Sequence, residues 1–496
     1  MKKNQISLFL ALMLTVSAFA GGIQTNTNQS ASYTRSLVRD ATLCIDGVYF
    51  NPAGLTTLGE GFHISLNNQS VFQNKTVSCN YQYLHNSDYD GKVEAMLFPG
   101  IYVAYKKGKV VISGGFNPVG GGGSAEFKNG LPSFERAISD LVPGLNSQGV
   151  NVNDYKVDAY FNGSSVYFAG QLGVSYQIND MISVFAGARY VSGTNTYEGH
   201  LKDIQIKNAQ GADQWMAASA FFQNASSLAQ VAIDAYTLAG MPDSVAKYTA
   251  IKAEMDAKAT ILSDQEVDVE QVGTAITPIL GVSLILMDKK MNVGIKYEFR
   301  TELEMENKTT KDFITGFEDD GTPITMFPNG EKVRADMPAM LSIGIGYNVN
   351  EKLKALIGYH YYFDKDADYG KKDTLGDYVS NDKVIDNNYY ELGLGLEYKL
   401  SEKLLISAGY LMASTGVNND LYQTDLSYSL SSNTFGGGFA YKINDKFDVN
   451  LGVSYTMYDE MDKNYTHAMG GTKYVSVIDT YDKDALIFGI GIDVHL

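Results

Sequence analysis

Three aspartates at alternate positions, Asp364, Asp366 and Asp368, have a spacing that could bind calcium. Carboxylates spaced in this way open the calcium loop of an EF-hand. That loop also needs glycine at its sixth position and glutamate at its twelfth, where this chain has Tyr369 and Leu375. The segment is therefore expected to be an acidic surface loop, and no metal site is predicted.

Other residues that often carry out chemistry are scattered along the chain. The run Gly120–Gly123 lacks the lysine, the hydroxyl residue and the helix that follow a phosphate-binding loop. Cys44 and Cys79 could pair in an exported protein, but free thiols are the default expectation because the sequence does not give their separation. The histidines suggest no metal cluster. They are His63, His85, His200, His360, His467 and His495. We predict neither an enzyme nor a cofactor.

Residues 1–20 have the three parts of a secretory signal peptide: lysines at positions 2 and 3, an apolar run, and the site Ala18-Phe19-Ala20. The net charge of −17 argues against nucleic-acid binding, because phosphates repel an acidic protein. No other stretch has about 18 consecutive apolar residues, so no transmembrane helix is expected. Any membrane span of this exported chain must then be made of strands.

Segments of alternating apolar and polar residues make up much of the chain. In the final one, Leu486, Phe488 and Ile490 alternate with Gly489 and Gly491. Several other segments carry ionised groups on the second face, which a dry sandwich core would not accept. One apolar and one wet face are typical of a barrel wall between lipid and lumen. About fourteen strands are predicted, near 62–72, 92–106, 109–118, 164–178, 181–199, 272–287, 290–306, 338–349, 352–365, 388–400, 403–414, 433–443, 446–459 and 485–496.

The connections between these strands alternate between tight turns and long loops. Tight turns are predicted at Lys107-Gly108, Asn179-Asp180, Asp288-Lys289, Asn350-Glu351, Ser401-Glu402 and Asn444-Asp445. Long loops are predicted at roughly 119–162, 200–270, 307–336, 366–387 and 414–432. Outer-membrane barrels have short periplasmic turns and longer extracellular loops. We therefore predict an all-β fold, an antiparallel transmembrane β-barrel in the outer membrane of a Gram-negative bacterium, whose last strand pairs with the first.

One long loop contains a helical pattern. Within 200–270, Trp215, Phe221 and Phe222 recur at helical spacing, and a second run begins at Pro242. Two short helices in an extracellular loop are therefore expected. They could pack on each other and on the rim of the barrel, or they could form an apolar groove that captures an apolar ligand. The two interpretations are compatible.

The segment 21–61 precedes the first strand and contains the tight bend Asn51-Pro52-Ala53-Gly54. It could hang in the periplasm or fold into the lumen. The bend, preceded by Asp46–Phe50, resembles the plug motif of the FadL-like outer-membrane transporters of long-chain fatty acids and hydrocarbons. Arg334 to Tyr347 is similar to the family's proline-to-strand entry, and the resemblance extends over essentially the whole mature chain.

The resemblance implies a monomeric barrel, residues 62–496, whose lumen is plugged by residues 21–61. It also implies that extracellular loops capture apolar substrates, which then leave sideways at a kinked third strand. In this chain the corresponding residues are Gly114, Gly115, Asn117 and Pro118. Adjacent glycines weaken a strand and proline cannot donate to the ladder, although an ordinary strand ending at the proline is the alternative.

Apolar residues also fall on the inward register of several strands. They either pack on a plug or line a pocket for an apolar ligand, whereas a general porin would use charge and hydroxyl groups. The candidate pocket residues are Val111, Phe185, Ile285, Leu356, Leu405 and Ile487.

The sequence favours passive transport of hydrophobic small molecules, fatty acids or similar, with the bilayer and detergent-like amphiphiles as further partners. Two alternatives remain open. One is a general diffusion porin for polar solutes, and the other is a surface structural or adhesive barrel.

Overall fold

The computed structural model describes residues 23–208, 214–318, 320–372, 378–469 and 473–496, so the predicted signal peptide 1–20 lies outside the described residues. Fourteen antiparallel strands form a closed barrel, which confirms the predicted fold. In chain order they are Gly61–Cys79, Asp88–Lys107, Val110–Phe127, Val152–Gln177, Ile182–Asn208, Gln265–Leu286, Met291–Glu298, Met340–Asn348, Leu353–Tyr362, Tyr390–Lys399, Leu404–Ser414, Ser432–Lys442, Phe447–Tyr458 and Lys473–His495. All six predicted tight turns connect strands of this list.

The last strand closes the barrel because it pairs on both sides. Its contact with the first strand runs from His63 opposite His495 to Cys79 opposite Asp479. Its other edge pairs with the thirteenth strand, so no sheet edge remains there. Outward residues such as Phe488 are exposed on the apolar exterior, as the alternation predicts.

Several strands continue beyond the segments in which their alternation is visible. The fifth strand, predicted to end at 199, runs to Asn208, and the sixth begins at Gln265 instead of 272. Outward side chains of these extensions include the ion pair of Lys202 and Glu266. Above the membrane the outward face is polar, while inward residues such as Val267 and Val269 stay buried, so the backbone ladder persists after the lipid-facing apolar signal has ended.

The predicted strand 290–306 is interrupted. It ends at Glu298, and Glu304–Lys311 forms a separate strand in the loop region. At the interruption, Leu303 donates its backbone N–H to the carboxylate of the fully buried Asp336 (3.1 Å). A side chain thus replaces the neighbouring strand as hydrogen-bond partner, which the residue pattern does not reveal.

The remaining elements lie in the N-terminal segment and in the loops. The helices are Ala31–Ser36, Gly47–Phe50, Pro52–Thr57, Pro132–Ser139, Leu141–Ser147, Ala218–Leu238, Pro242–Ile261, Asp364–Asp366, Asn381–Val384 and Asn419–Tyr422. Of these, Pro52–Thr57 and Asp364–Asp366 are 3-10 helices. The short strands are Gln214–Ala217, Glu304–Lys311, Ile314–Phe317, Pro323–Thr325, Lys332–Arg334 and Met461–Met469. Within the described residues, no helix combines the length and apolarity needed to span a bilayer.

The segment 23–58 lies inside the barrel and is called the plug below. Nearly all of its residues are buried, the exposed exceptions being Cys44 and Thr57. The chain leaves the plug beside the tight turn at Gly108, whose N–H donates to Glu60 (3.0 Å). Thr57, near this exit, donates to the carbonyl of Leu43 (3.5 Å), so Cys44 lies at the turn side, whereas Cys79 lies at the loop end of the first strand; both are free thiols.

Candidate functional site: plug, lateral opening and lumen

The bend Asn51–Gly54 is held at both ends. The Asn51 side chain donates to the carbonyl of Thr42 within the plug (3.0 Å). The carbonyl of Pro52 accepts a hydrogen bond from Ser175 of the fourth strand (2.7 Å). A Cβ atom on Gly54 would lie 2.8 Å from the Thr42 carbonyl oxygen, so no larger residue fits there. The motif fixes where the end of the plug meets the wall.

The plug segment 31–41 lies directly on glycines of the last eight strands. A Cβ atom added to Gly294 would lie 2.0 Å from the Asp40 carbonyl oxygen, and one added to Gly409 would lie 2.1 Å from that of Ser36. Every one of the eight strands contributes at least one such residue. We call this set the glycine track: Gly294, Gly344, Gly358, Gly393, Gly395, Gly409, Gly436, Gly438, Gly452 and Gly489. At most of these positions the plug backbone packs on the wall backbone, which requires glycine.

Buried charges attach the plug to the same wall. Arg39 binds both carboxylate oxygens of Asp46 (2.7 and 2.9 Å) and lies 3.4 Å from Glu397. Arg35 also binds Glu397 (3.0 Å). Burial would raise the pKa of Asp46, but the Arg39 guanidinium holds it below its usual value. The plug is therefore held by charge-assisted bonds as well as by close packing.

Replacing Arg39 by methionine should loosen the plug. Removing one member of a buried ion pair costs about 3–5 kcal/mol, because Asp46 would stay buried without its partner. We expect protease cleavage within residues 23–58 to begin at a lower urea concentration than in the wild type. Arg300→Met is the control, since that side chain is 38% exposed at the rim. Equal protease resistance of the Arg39 variant and the control would contradict this role.

The second and third strands separate over part of their length. Residues 94–100 and 117–124 do not pair with each other, although the two strands pair on both sides of this stretch. Residues 117–122 are all buried, so the third strand bends into the lumen. On the second strand, Met96 and Leu97 are 57% and 80% exposed. We call this interruption the lateral opening, and its outer edge is apolar.

Two glycines produce the bend of the third strand. Gly121 and Gly123 have φ of +86° and +73°, in the left-handed region, where L side chains are strained. The pairing with the fourth strand slips between Pro118 and Gly120 and again between Gly121 and Gly123. A Cβ atom on Gly121 would also lie 2.3 Å from the carbonyl oxygen of Ser165. The lateral opening thus depends on glycine.

The residues predicted for the lateral exit lie on both sides of the point where the third strand stops pairing with the second. Gly114 and Gly115 belong to the paired part of the third strand, before the lateral opening. Asn117 and Pro118 are the first residues of the unpaired stretch. The predicted residues therefore reach only the start of the unpaired stretch, and the two glycines with left-handed backbone follow the proline.

The start of the plug lines the inner edge of the lateral opening. The backbone N–H of Asn26 donates to the carbonyl of Val119 (2.8 Å). The Gln29 side chain donates to the carbonyl of Pro118 (2.8 Å) and accepts from Asn117 (2.6 Å). Plug and opening are therefore one hydrogen-bonded unit.

Polar side chains hold the outer edge. Asn68 accepts a hydrogen bond from the Phe98 N–H and donates to the Met96 carbonyl (both 3.1 Å). Ser70 donates to the same carbonyl (3.0 Å). These contacts satisfy backbone groups released by a bulge of the second strand, which is costly to leave unsatisfied in lipid. Sequence reasoning missed them, although two polar residues on the lipid-facing register of the first strand were an available signal.

The six predicted pocket residues do not line one pocket. Val111 and Phe185 pack against the plug. Ile487 lies in the apolar cluster beneath the extracellular loops, and Leu356 is buried on the wall. Ile285 and Leu405 are half-buried near the tight turns.

The predicted capture residues lie at the base of the helical hairpin. Phe222 is buried where the hairpin meets the barrel, and Phe221 contacts it edge to face (5.2 Å between ring centres). The Trp215 ring is covered by the ammonium group of Lys156, 4.0 Å from the ring centre. The exposed apolar residues of helix Ala218–Leu238 lie further along it. They are Leu228, Val231 and Leu238.

The aspartates with calcium-like spacing do not converge. Asp364 is buried and accepts hydrogen bonds from the Tyr369 hydroxyl (2.5 Å) and the Tyr389 N–H (2.9 Å). Burial raises the pKa of Asp364 to about 6. Among the residues that the structure describes, no three His, Cys, Asp or Glu side chains are arranged to hold a metal ion.

Comparison with known proteins adds family and fold. The model of the family described as outer membrane protein transport protein (OMPP1/FadL/TodX) matches residues 164–495. No curated protein sequence matches the chain. A FadL homologue from Pseudomonas aeruginosa has a similar structure, with a TM-score of 0.60, 11% identity, and coverage of 96% of this chain and 99% of that chain. For the toluene transporter TodX from Pseudomonas putida the values are 0.55, 14%, 98% and 100%. At these identities the two structures support the fold alone.

Proposed function

Because this chain belongs to the outer membrane protein transport protein family (OMPP1/FadL/TodX), we propose that it carries fatty-acid-like amphiphiles across the outer membrane and releases them sideways through its wall. Transport of hydrophobic compounds across the outer membrane is the general role of the family. The finer proposal includes passive transport by a monomer, export with loss of residues 1–20, and division into plug 21–61 and barrel 62–496.

The lateral opening is the observation that carries this proposal. It is bordered by Met96 and Leu97, which are exposed towards lipid. A hydrophobic molecule that leaves through the wall passes from an apolar site into an apolar phase, so it need not cross water. Burial of apolar surface is worth about 25 cal/mol per Å², which makes this route favourable without an energy source.

The plug supports a sideways route over a vertical one. It rests on the glycine track along eight strands and is held to the wall by the buried Arg35–Glu397 pair. Moving it out of the lumen would expose that pair and the backbone surfaces packed against the wall. The start of the plug contacts Asn117 and Pro118, so small local shifts there are enough to widen the lateral opening.

Capture is assigned to the extracellular hairpin in this proposal. Trp215 and Phe221 remain partly accessible at its base, while Leu228 and Val231 are 72% and 65% exposed along the first helix. Exposed apolar residues on one helix can hold a ligand that has left the outer lipid or the medium. The groove would therefore extend from the base of the hairpin along this helix.

Cells that lack their own route should gain uptake of labelled oleate when they produce this protein. Labelled toluene tests the neutral aromatic alternative, and a labelled disaccharide tests a polar pore. We expect oleate uptake at least several-fold above that of cells without the protein, no disaccharide uptake, and no steady conductance in planar bilayers. Conductance with disaccharide uptake would instead favour a porin. Absence of every activity would favour a structural or adhesive role.

A further inference from the structure

Two lysines face each other inside the barrel. Lys75 of the first strand and Lys483 of the last are direct partners in the pairing that closes the barrel. Both fall on the inward register, and each is only 6% exposed. Opposite residues on one face of an antiparallel pair have Cβ atoms about 4.5–5.5 Å apart, and like charges there repel each other. The two ammonium groups therefore share one small region of the lumen.

This pair lacks the carboxylate that accompanies several other buried cations of the lumen. Lys296, for example, binds Glu298 at 2.6 Å. Over the described ranges, no carboxylate oxygen lies within 4.0 Å of the ammonium nitrogen of Lys75 or of Lys483. The adjacent Asp484 falls on the outward register, where it accepts a hydrogen bond from an exposed asparagine. Burying two such cations without an anion is unfavourable.

The groups around the pair offer donors and aromatic faces. The Lys483 ammonium nitrogen lies 4.3 Å from the Tyr458 ring centre and 5.6 Å from that of Tyr428. The Lys75 nitrogen lies 5.7 Å from the Tyr428 ring centre. The Tyr458 hydroxyl is buried and, among described residues, has no hydrogen-bond partner. Two ammonium groups and one phenol thus point to a site that is missing an acceptor.

An apolar cluster adjoins this site. Val77 and Tyr481 follow the two lysines at the next inward positions, and they pack with Tyr428 and Leu430 of the loop above. Charge on one side and apolar surface on the other match an amphiphile with an anionic head and a hydrocarbon tail. A carboxylate would accept charge-assisted hydrogen bonds from both ammonium groups, which are stronger than neutral ones.

We propose that Lys75 and Lys483 bind the carboxylate of the transported amphiphile, so that this chain prefers acids to neutral molecules of the same chain length. The proposal rests on the proposed function and specifies its ligand. It also implies a trade-off, because the two ammonium groups repel each other when no ligand is bound, which lowers the stability of the empty protein.

The test is equilibrium binding of radiolabelled palmitic acid and of hexadecan-1-ol to the purified full-length protein in neutral detergent. Wild type should bind the acid about tenfold more tightly than the alcohol, a ratio that corresponds to about 1.4 kcal/mol. The variant Lys75→Met/Lys483→Met should lose this preference and bind the alcohol as before. The pair Lys75→Arg/Lys483→Arg should keep it. Lys308→Met, at a side chain 58% exposed outside the lumen, is the matched control and should not change either affinity.

Thermal unfolding gives a second readout. Replacing unpaired buried charges by apolar side chains of similar volume is often stabilising, so the methionine pair should melt at or above the wild-type temperature. An unchanged acid preference in the methionine pair, or its failure to fold, would overturn the proposal. Equal binding of acid and alcohol by wild type would also overturn it while leaving hydrophobic transport intact. Binding of neither ligand would instead count against the proposed function.

Discussion

Replacing Gly409 and Gly436 by alanine should convert the plugged barrel into an open pore. The added Cβ atoms would lie 2.1 Å from the Ser36 carbonyl oxygen and 2.6 Å from that of Thr34, whereas real Cβ atoms essentially never approach within 3.0 Å. Both neighbours are backbone atoms, so no side-chain rotation relieves the overlap. Overpacking lowers the stability by about 1–3 kcal/mol for each site. Displacing the plug helix Ala31–Ser36 also strains the Arg35–Glu397 pair.

The measurement is conductance in planar bilayers, together with sensitivity of producing cells to a large hydrophilic antibiotic. We expect steady channels in the double variant and none in wild type. Gly437→Ala is a matched control on the same strand, because it faces lipid and its nearest neighbour would be 3.7 Å away. If the double variant stays closed and transports normally, the plug does not depend on the glycine track.

Replacing Gly121 and Gly123 by valine should abolish transport without opening a pore. Valine does not adopt the left-handed backbone that both positions require, so the third strand should straighten and pair with the second. The lateral opening would then close, while capture at the extracellular hairpin should persist. We expect oleate uptake to fall at least about tenfold, which corresponds to about 1.4 kcal/mol, with binding of the ligand retained.

Two comparisons separate this effect from general damage. Gly123→Asn should keep much of the uptake, since asparagine tolerates left-handed backbone and its Cβ atom would lie 3.3 Å from the Val93 side chain. Gly170→Val, on the fourth strand with open space around it, should transport like wild type. Barrel folding is checked by the mobility difference between heated and unheated protein on gels. A folded valine variant with normal uptake would rule out release through the lateral opening.

The strands could be predicted because one face of each meets lipid. In the last strand the period of two marks the wall clearly, and its pairing with the first closes the barrel. Where strands extend above the membrane, as at Gln265, the outward face is polar and the lipid-facing signal disappears, although inward Val267 and Val269 remain buried. The interruption after Glu298 depends on the buried carboxylate of Asp336, a contact between distant residues that no local pattern encodes.

The sequence shows the residues of the candidate site but not how they are arranged in space. The glycines of the track are small residues on the inward face of their strands, and only the position of the plug shows why no larger residue fits there. Lys75 and Lys483 become a pair only through the register between the first and last strands. Gly121 and Gly123 lay in the predicted loop 119–162, whereas they bend the third strand. In each case the sequence does not show which distant residue lies next to the one in question.

The glycine track also constrains the order in which the molecule can be assembled. The plug is synthesised before any strand, yet several of its partners come last: Arg35 binds a residue 362 positions later, and Ser32 binds one 418 positions later. Contacts of such high sequence separation form slowly, because a long loop must close, at a cost in chain entropy, before the contact can stabilise the structure. The N-terminal segment must therefore wait until the final strands arrive, and insertion of the plug and closure of the wall become a single late step. Lesions at the track should then appear as stalled biogenesis intermediates as well as leaky barrels.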